Sequence, residues 1–117
     1  MARPDARRAL GAAGEAAAAR WYEERGYEVV ARNWRCREGE LDLVLRTENV
    51  LVFCEVKTRT TDRFGAPVEA VTRVKQMRLR RLAAQWLAAD SSVRPREIRF
   101  DVASVLAGRL EVYEAAF

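Results

Sequence analysis

The sequence predicts a small α/β domain built on a mixed sheet, and three observations lead there. Two helical stretches are separated by three short strand-like runs, and one or two further runs follow the second helix. That order is the one expected of a small α/β sandwich. The length, 117 residues, suits one domain with a core of its own. Half of the residues are hydrophobic and 32% are charged, a globular balance that needs neither disulfides nor a structural metal.

Taken in order, residues 1–6 read as a loose tail ahead of a single domain that spans residues 1–117. From about Arg7 to Arg25 the chain is alanine-rich, a strong helix signal, and Gly26 is a good stop. Tyr27 to Ala31 reads as a short strand, and Asn33 to Gly39 as a loop. Glu40 to Arg46 alternates with period two at its start and is a strand. Thr47 to Val50 forms a turn, and Leu51 to Lys57, mostly apolar, is the next and most central strand. Thr58 to Pro67 is a polar loop. A long helix then runs to about Ala89, with a stripe of Val71, Val74, Leu79, Leu82, Ala83, Trp86 and Leu87 and with Thr72 as an internal N-cap. Arg96 to Leu106 is a strand, Gly108 turns the chain, and Leu110 to Tyr113 is an edge strand.

Composition removes several chemistries. Histidine is absent, and the two cysteines, Cys36 and Cys54, form no C-x-x-C, so cysteine–histidine zinc sites, Ser-His triads and imidazole acid–base catalysis are excluded. No apolar run reaches the ~20 residues of a membrane span, and the first residues lead into no apolar signal core. The expectation is a cytoplasmic protein. The net charge of +4 admits an anionic partner such as nucleic acid. Of the 21 basic residues 19 are Arg, and only Lys57 and Lys75 are Lys. Lysine is a compact point charge whose pKa shifts on burial, whereas arginine stays protonated and forked.

Hairpin register gives the sharpest inference. With a turn centred on Glu48 and Asn49, facing residues have numbers summing to 97, so Asp42 faces Glu55 and Glu40 faces Lys57. Facing Cβ atoms lie ~4.5–5.5 Å apart, and residues two apart share a face. One end of one face then carries three carboxylates and an ammonium. A facing Asp–Glu pair repels, and desolvation adds to the cost. A hard divalent cation relieves both. The same spacing also admits a plain Glu40–Lys57 ion pair with Asp42 solvated at the strand end. Glu15, on a small-residue helix face with Gly11, Ala12, Ala18, Ala19 and Tyr22, either approaches the sheet or stays exposed.

Several spaced motifs in order carry a resemblance over about residues 9–105: Gly14-Glu15-x-x-Ala18, Gly26-Tyr27, Arg32-Asn33, Gly39-Glu40-Leu41-Asp42-Leu43-Val44, Phe53-Cys54-Glu55-Val56-Lys57-Thr58-Arg59, Phe64-Gly65, Lys75 and Arg99-Phe100-Asp101-Val102. Together they resemble the YraN family of bacterial proteins. That family is similar to the PD-(D/E)XK nuclease superfamily, with archaeal Holliday-junction resolvases close in architecture. The resemblance implies a restriction-endonuclease-like αβββαβ core. It also implies a metal-dependent endonuclease acting on structured or branched DNA, with Mg2+ or Mn2+ as cofactor. Asp42 would match the motif aspartate, Glu55 and Lys57 the E-x-K, and Glu15 the first-helix acid. Asp42, Glu55 and the Val56 carbonyl would hold the metal. Leu41 stands where the motif has its proline, and Cys54 reads as core packing. The resolvases act as symmetric dimers, so a homodimer is compatible with the resemblance. A non-catalytic nucleic-acid-binding or adaptor module on the same fold is the alternative.

Contacts to nucleic acid would come from three stretches. Arg32, Trp34, Arg35 and Arg37 interleave basic and aromatic side chains, with Trp34 either a stacking ring or packing under the sheet edge. Thr58, Arg59 and Arg63 follow Lys57. Lys75 sits near the start of the second helix, where the superfamily often places auxiliary residues.

Overall fold

The computed structural model describes residues 4–59, 71–90 and 94–117, with side chains from residue 8 onward. Seven elements follow in order: helix α1 (Pro4–Glu24), strands β1 (Glu28–Cys36), β2 (Gly39–Arg46) and β3 (Val50–Arg59), helix α2 (Arg73–Ala89), and strands β4 (Glu97–Leu106) and β5 (Arg109–Tyr113). The strands form one sheet in the order β1-β2-β3-β4-β5. Only β3 and β4, joined through α2, run parallel; the other neighbours are antiparallel. The expected mixed α/β architecture is therefore present.

Each helix covers one sheet face because the central strands are apolar on both. Ala18, Ala19 and Tyr22 of α1 pack with Leu43, Leu45, Val52, Cys54 and Ala103. On the other face Leu79, Leu82, Ala83 and Trp86 of α2 pack with Val44, Leu51, Phe53, Phe100 and Val102. Small residues let α1 approach closely: a Cβ at Gly14 would overlap the Thr58 hydroxyl. The helix ends in a paired C-cap, with Gly26 N–H donating to Glu23 O and Tyr27 N–H to Tyr22 O. Gly26 supplies the left-handed backbone at φ +87°. Thr72 caps α2 as expected, its hydroxyl accepting the Lys75 N–H at 3.3 Å.

Three boundaries and one stripe residue differ from the sequence reading. Helix α1 already includes Pro4, so residues 4–6 are not tail. Proline is tolerated in a first helical turn, where its missing N–H has no partner to lose. Strand β1 continues to Cys36 through the stretch expected to be loop. It is an edge strand with an exposed side, which accommodates arginines. Strand β3 extends to Arg59, paired with β4 as far as Leu106. Val74 is 73% exposed and lies outside the α2 stripe.

The hairpin register is the expected one from the turn as far as Leu43 and Cys54, but the expected facing pairs Asp42–Glu55 and Glu40–Lys57 are not part of the ladder. Leu43↔Cys54, Val44↔Phe53, Leu45↔Val52 and Arg46↔Leu51 all sum to 97. Thr47 N–H donates to Val50 O at 2.9 Å and the Thr47 hydroxyl accepts the Val50 N–H at 3.2 Å, closing the turn around Glu48 and Asn49.

Candidate active site at a fork in the sheet

Beyond Leu43 and Cys54 the sheet opens. The β2–β3 ladder ends at that pair, and the β1–β2 ladder passes over Asn33 and Asp42. Asn33 has φ +50°. Leu41 packs in the α2-side cluster and Leu43 in the α1-side cluster, although residues two apart on a regular strand share a face. Strand β2 thus rotates at Asp42. The Asp42 carboxylate fills the opening, and its Oδ2 accepts the Val56 N–H at 2.8 Å. In an extended strand the N–H and C=O of one residue point to the same side, so the Val56 carbonyl also faces the fork.

Burial pushes the Asp42 carboxyl up to about 7 from 3.8, and the charge of Glu55 adds to it. Glu15 and Glu40 push the same way, while the Val56 hydrogen bond opposes them. Two faces of the sheet therefore meet at this carboxylate. Glu40, Asp42, Glu55 and Lys57 line one cavity of about 260 Å³ on the α2 side. Glu15, on α1, borders a separate groove with Val56, Lys57 and Thr58. Lys57 touches both openings, and its Nζ lies 3.0 Å from Glu55 Oε1. Glu40 is paired instead with Arg35, at 3.3 Å. The ion pairs, Glu40 with Arg35 and Glu55 with Lys57, thus differ from a simple Glu40–Lys57 bridge.

The remaining candidates are distributed around this centre. Lys75 lines the cavity from α2. Thr58 and Arg59 lie half-buried at the end of β3, and Arg32, Arg35 and Arg37 are exposed along β1 and its turn. Trp34 is half-buried against the α2-side core, which is the packing alternative. Arg63 lies outside the described residues. Cys54 is core, as expected, and burial pushes its thiol up.

Two features were not anticipated from the sequence. Arg78, with Leu79 and Leu82, completes the α2 wall of the cavity. Its signal was the three-residue step from Lys75, which puts both on one helix side. The second is Asp101, fully buried on β4 and paired with Cys54 of β3. It accepts the Tyr22 phenol at 2.5 Å, two N–H groups of Arg99 at 2.9 Å each and the Ala115 N–H at 3.0 Å. The Asp101 hydrogen bonds hold Arg99 protonated above its ordinary range, and burial, then Cys54 and Asp101, push the Tyr22 phenol up.

The fork suits a hard divalent cation in its donor set. Asp42 and Glu55 supply oxygen, the Val56 carbonyl faces the same gap, and the elevated Asp42 value marks a place where positive charge would relieve both burial and repulsion. Among the described residues no three acidic or cysteine side chains converge tightly enough to hold an ion alone. Backbone oxygen and water would have to complete its shell, as Mg2+ commonly allows.

One helix, three antiparallel strands, a crossover helix and a parallel fourth strand, with carboxylates at the fork between the second and third strands, define a restriction-endonuclease-like α/β core. The chain belongs to Uncharacterised protein family UPF0102, whose family model matches residues 14–105. The UPF0102 protein of Beutenbergia cavernae is 59% identical over 104 residues, covering 89% of this chain and 87% of that protein. The UPF0102 protein of Nocardia farcinica is 54% identical over 106 residues (91% and 83%), and that of a Nocardioides species 52% over 103 residues (88% and 82%). Among the described residues no helix is long and apolar enough to cross a membrane.

Proposed function

We propose that this protein is a metal-dependent phosphodiester hydrolase, endonuclease-like, acting on structured or branched DNA. The observation that carries the reading is the convergence of Asp42, Glu55 and Lys57 on one cavity, with the Asp42 carboxyl raised to about 7. Asp42, Glu55 and the Val56 carbonyl would hold Mg2+ or Mn2+. Such an ion, when bound, supplies polarisation of the phosphate and a more acidic water. Lys57 places its ammonium beside the phosphate, where it offsets charge developing on the oxygens or, once neutral, takes a proton from the attacking water. Glu15, in the separate α1-side groove with Val56 and Lys57, acts on Asp42 through its charge and would orient water from that side. Lys75 contributes a second cation from α2. Arg32, Arg35, Arg37 and Arg59 would contact phosphates outside the cleft, so affinity should fall steeply with salt.

The test is cleavage of labelled duplex, flap, single-stranded and four-way DNA with Mn2+, with Lys57→Ala as control. Wild type should cut at least one substrate, and Lys57→Ala should lose 100-fold or more. Lys57→Arg should fail likewise; full activity there would remove the proton-accepting role, since guanidinium stays protonated. One observation favours the adaptor alternative: Lys57 already gives Glu55 a counter-charge at 3.0 Å. Calorimetric titration of Mn2+ separates the two readings, because an adaptor should show no difference between wild type and Asp42→Ala.

A further inference from the structure

Resting on the reading of the cleft as a nucleic-acid site, we infer that the cleft continues across Gly39 into a second phosphate subsite, where Arg37 and Arg78 hold the phosphodiester next to the one at the carboxylates. The ligand is then a DNA strand gripped at two consecutive phosphates. Arg78 stands on α2 and Arg37 in the turn between β1 and β2, so the two arginines reach the seam from different elements.

The seam is bare backbone. Gly39 lines both the α2-side cavity and a more open depression of about 360 Å³ that lies along the β1–β2 turn. A Cβ at Gly39 would come within 3.4 Å of Leu82 Cδ1 and 4.0 Å of Arg78 Cδ, and the φ of +151° there also disfavours a side chain. Without one, the main chain leaves room for a ligand to pass close over it, between Arg78 and the turn.

Charge is available at this seam. Arg37 and Arg78 are exposed, and among the described residues neither makes a hydrogen bond or an ion pair. The acids of the second depression are already engaged. Glu40 is paired with Arg35 at 3.3 Å, and hydrogen bonds from Gln85 and Cys36 hold the Glu38 carboxyl below the usual carboxylate range. Two guanidinium forks thus remain for an incoming anion, and a fork matches two oxygens of one phosphate. Lys57 and Lys75 stand deeper, half-buried in the cavity. A single phosphate can meet only one of these two sets of cations, whereas a repeating polyanion can meet both.

The experiment measures the affinity for a short labelled DNA strand by fluorescence anisotropy, with Ca2+ as the oxygen-seeking cation. Arg37→Gln and Arg78→Gln should each weaken binding about fivefold, and the double variant should lower the salt slope by about 0.7, the value for one phosphate of a single strand. Because both side chains serve one phosphate, the double variant should lose less than the product of the two single losses. Arg78→Lys keeps the charge without the fork and should recover only part of the loss. Arg96→Gln makes the same change of charge at an exposed position at the opposite end of β4 from Lys57, and should bind as wild type does. Single losses no larger than that of Arg96→Gln, a double loss equal to the product, or full recovery in Arg78→Lys overturns the inference and leaves the nucleic-acid reading standing. Failure of wild type to bind the strand overturns the nucleic-acid reading, and the inference with it.

Discussion

Asp42 and Asp101 are two aspartates set among apolar strand residues, and the molecule treats them in opposite ways. Asp101 is the more deeply buried, at 0% exposure, and it is surrounded by donors from two elements and the C-terminal segment: Tyr22 of α1, Arg99 on its own strand and the Ala115 N–H. Arg99 also donates to the Tyr27 hydroxyl at 3.1 Å, extending the network to the start of β1. Asp42 accepts the Val56 N–H and otherwise faces carboxylates, with Glu55 the strongest repeller. Burial alone therefore does not identify a functional group. The difference lies in what compensates the charge: Asp101 is satisfied by the fold itself, whereas Asp42 is held in the fork at a cost that a cation would remove.

The largest effect expected from this contrast is at Asp101. Asp101→Ala leaves Arg99, whose side chain is 15% exposed, without its bidentate partner and strands the Tyr22 hydroxyl and the Ala115 N–H. Breaking a buried pair on one side costs ~3–5 kcal/mol. Urea denaturation should report a loss of that order, and a loss under ~1 kcal/mol would mean that the network is ornamental to stability.

Removing the charge of Asp42 should act in the reverse direction. Its folded-state value of about 7 lies above the ordinary 3.8, so the folded protein holds this proton more tightly than the unfolded chain. Stability from this group falls as pH rises from about 4 to about 7, and the penalty is complete above that range. Asp42→Asn keeps an oxygen for the Val56 N–H but carries no charge. It should stabilise the protein at pH 8 by on the order of 2 kcal/mol, after discounting for solvent screening, and by nearly nothing at pH 4. Mn2+ at pH 8 should raise the melting temperature of wild type and leave that of Asp42→Asn unmoved. A variant less stable than wild type at pH 8 would break the contrast with Asp101.

The two aspartates also differ in how far the sequence announced them. The register rule brought Asp42 to the right end of the hairpin, because a short hairpin links residues close in sequence and the turn around Glu48 and Asn49 closes as the numbering requires, but the facing Asp42–Glu55 pair it implied is not in the ladder. What could not be read was the fork. The rotation that sends Leu41 and Leu43 to opposite faces replaces a facing pair by a carboxylate inserted between strands, and it depends on the irregular backbone opposite, at Asn33. The same limit hid the length of β1. Arg32, Asn33 and Arg35 look like loop residues, and only the edge position of the strand leaves room for them. Asp101 appeared merely as part of a motif, because its phenol donor lies 79 residues away on α1 and no local spacing relates the two. Val74 fitted the helical period but is 73% exposed near the start of α2, because which helical positions meet the sheet is a matter of helix orientation that periodicity does not set.

The smallest expected effects test whether the fork is a graded electrostatic centre approached from both faces. Burial is the leading cause of the raised Asp42 value, and among the carboxylates Glu55 contributes most, then Glu15, then Glu40. Glu55 shares the α2-side cavity, whereas Glu15 acts from the α1 side, and Glu40 is partly neutralised by Arg35 at 3.3 Å. Following the Asp42 side-chain carboxyl by carbon NMR through a pH titration should therefore show its midpoint move down in every single variant, most in Glu55→Gln, less in Glu15→Gln and least in Glu40→Gln. Each shift should shrink with added salt according to how exposed the removed charge is. A Glu15→Gln midpoint equal to wild type would mean that α1 does not reach the fork electrically, and the contribution assigned to that helix would reduce to packing at Gly14 and Thr58.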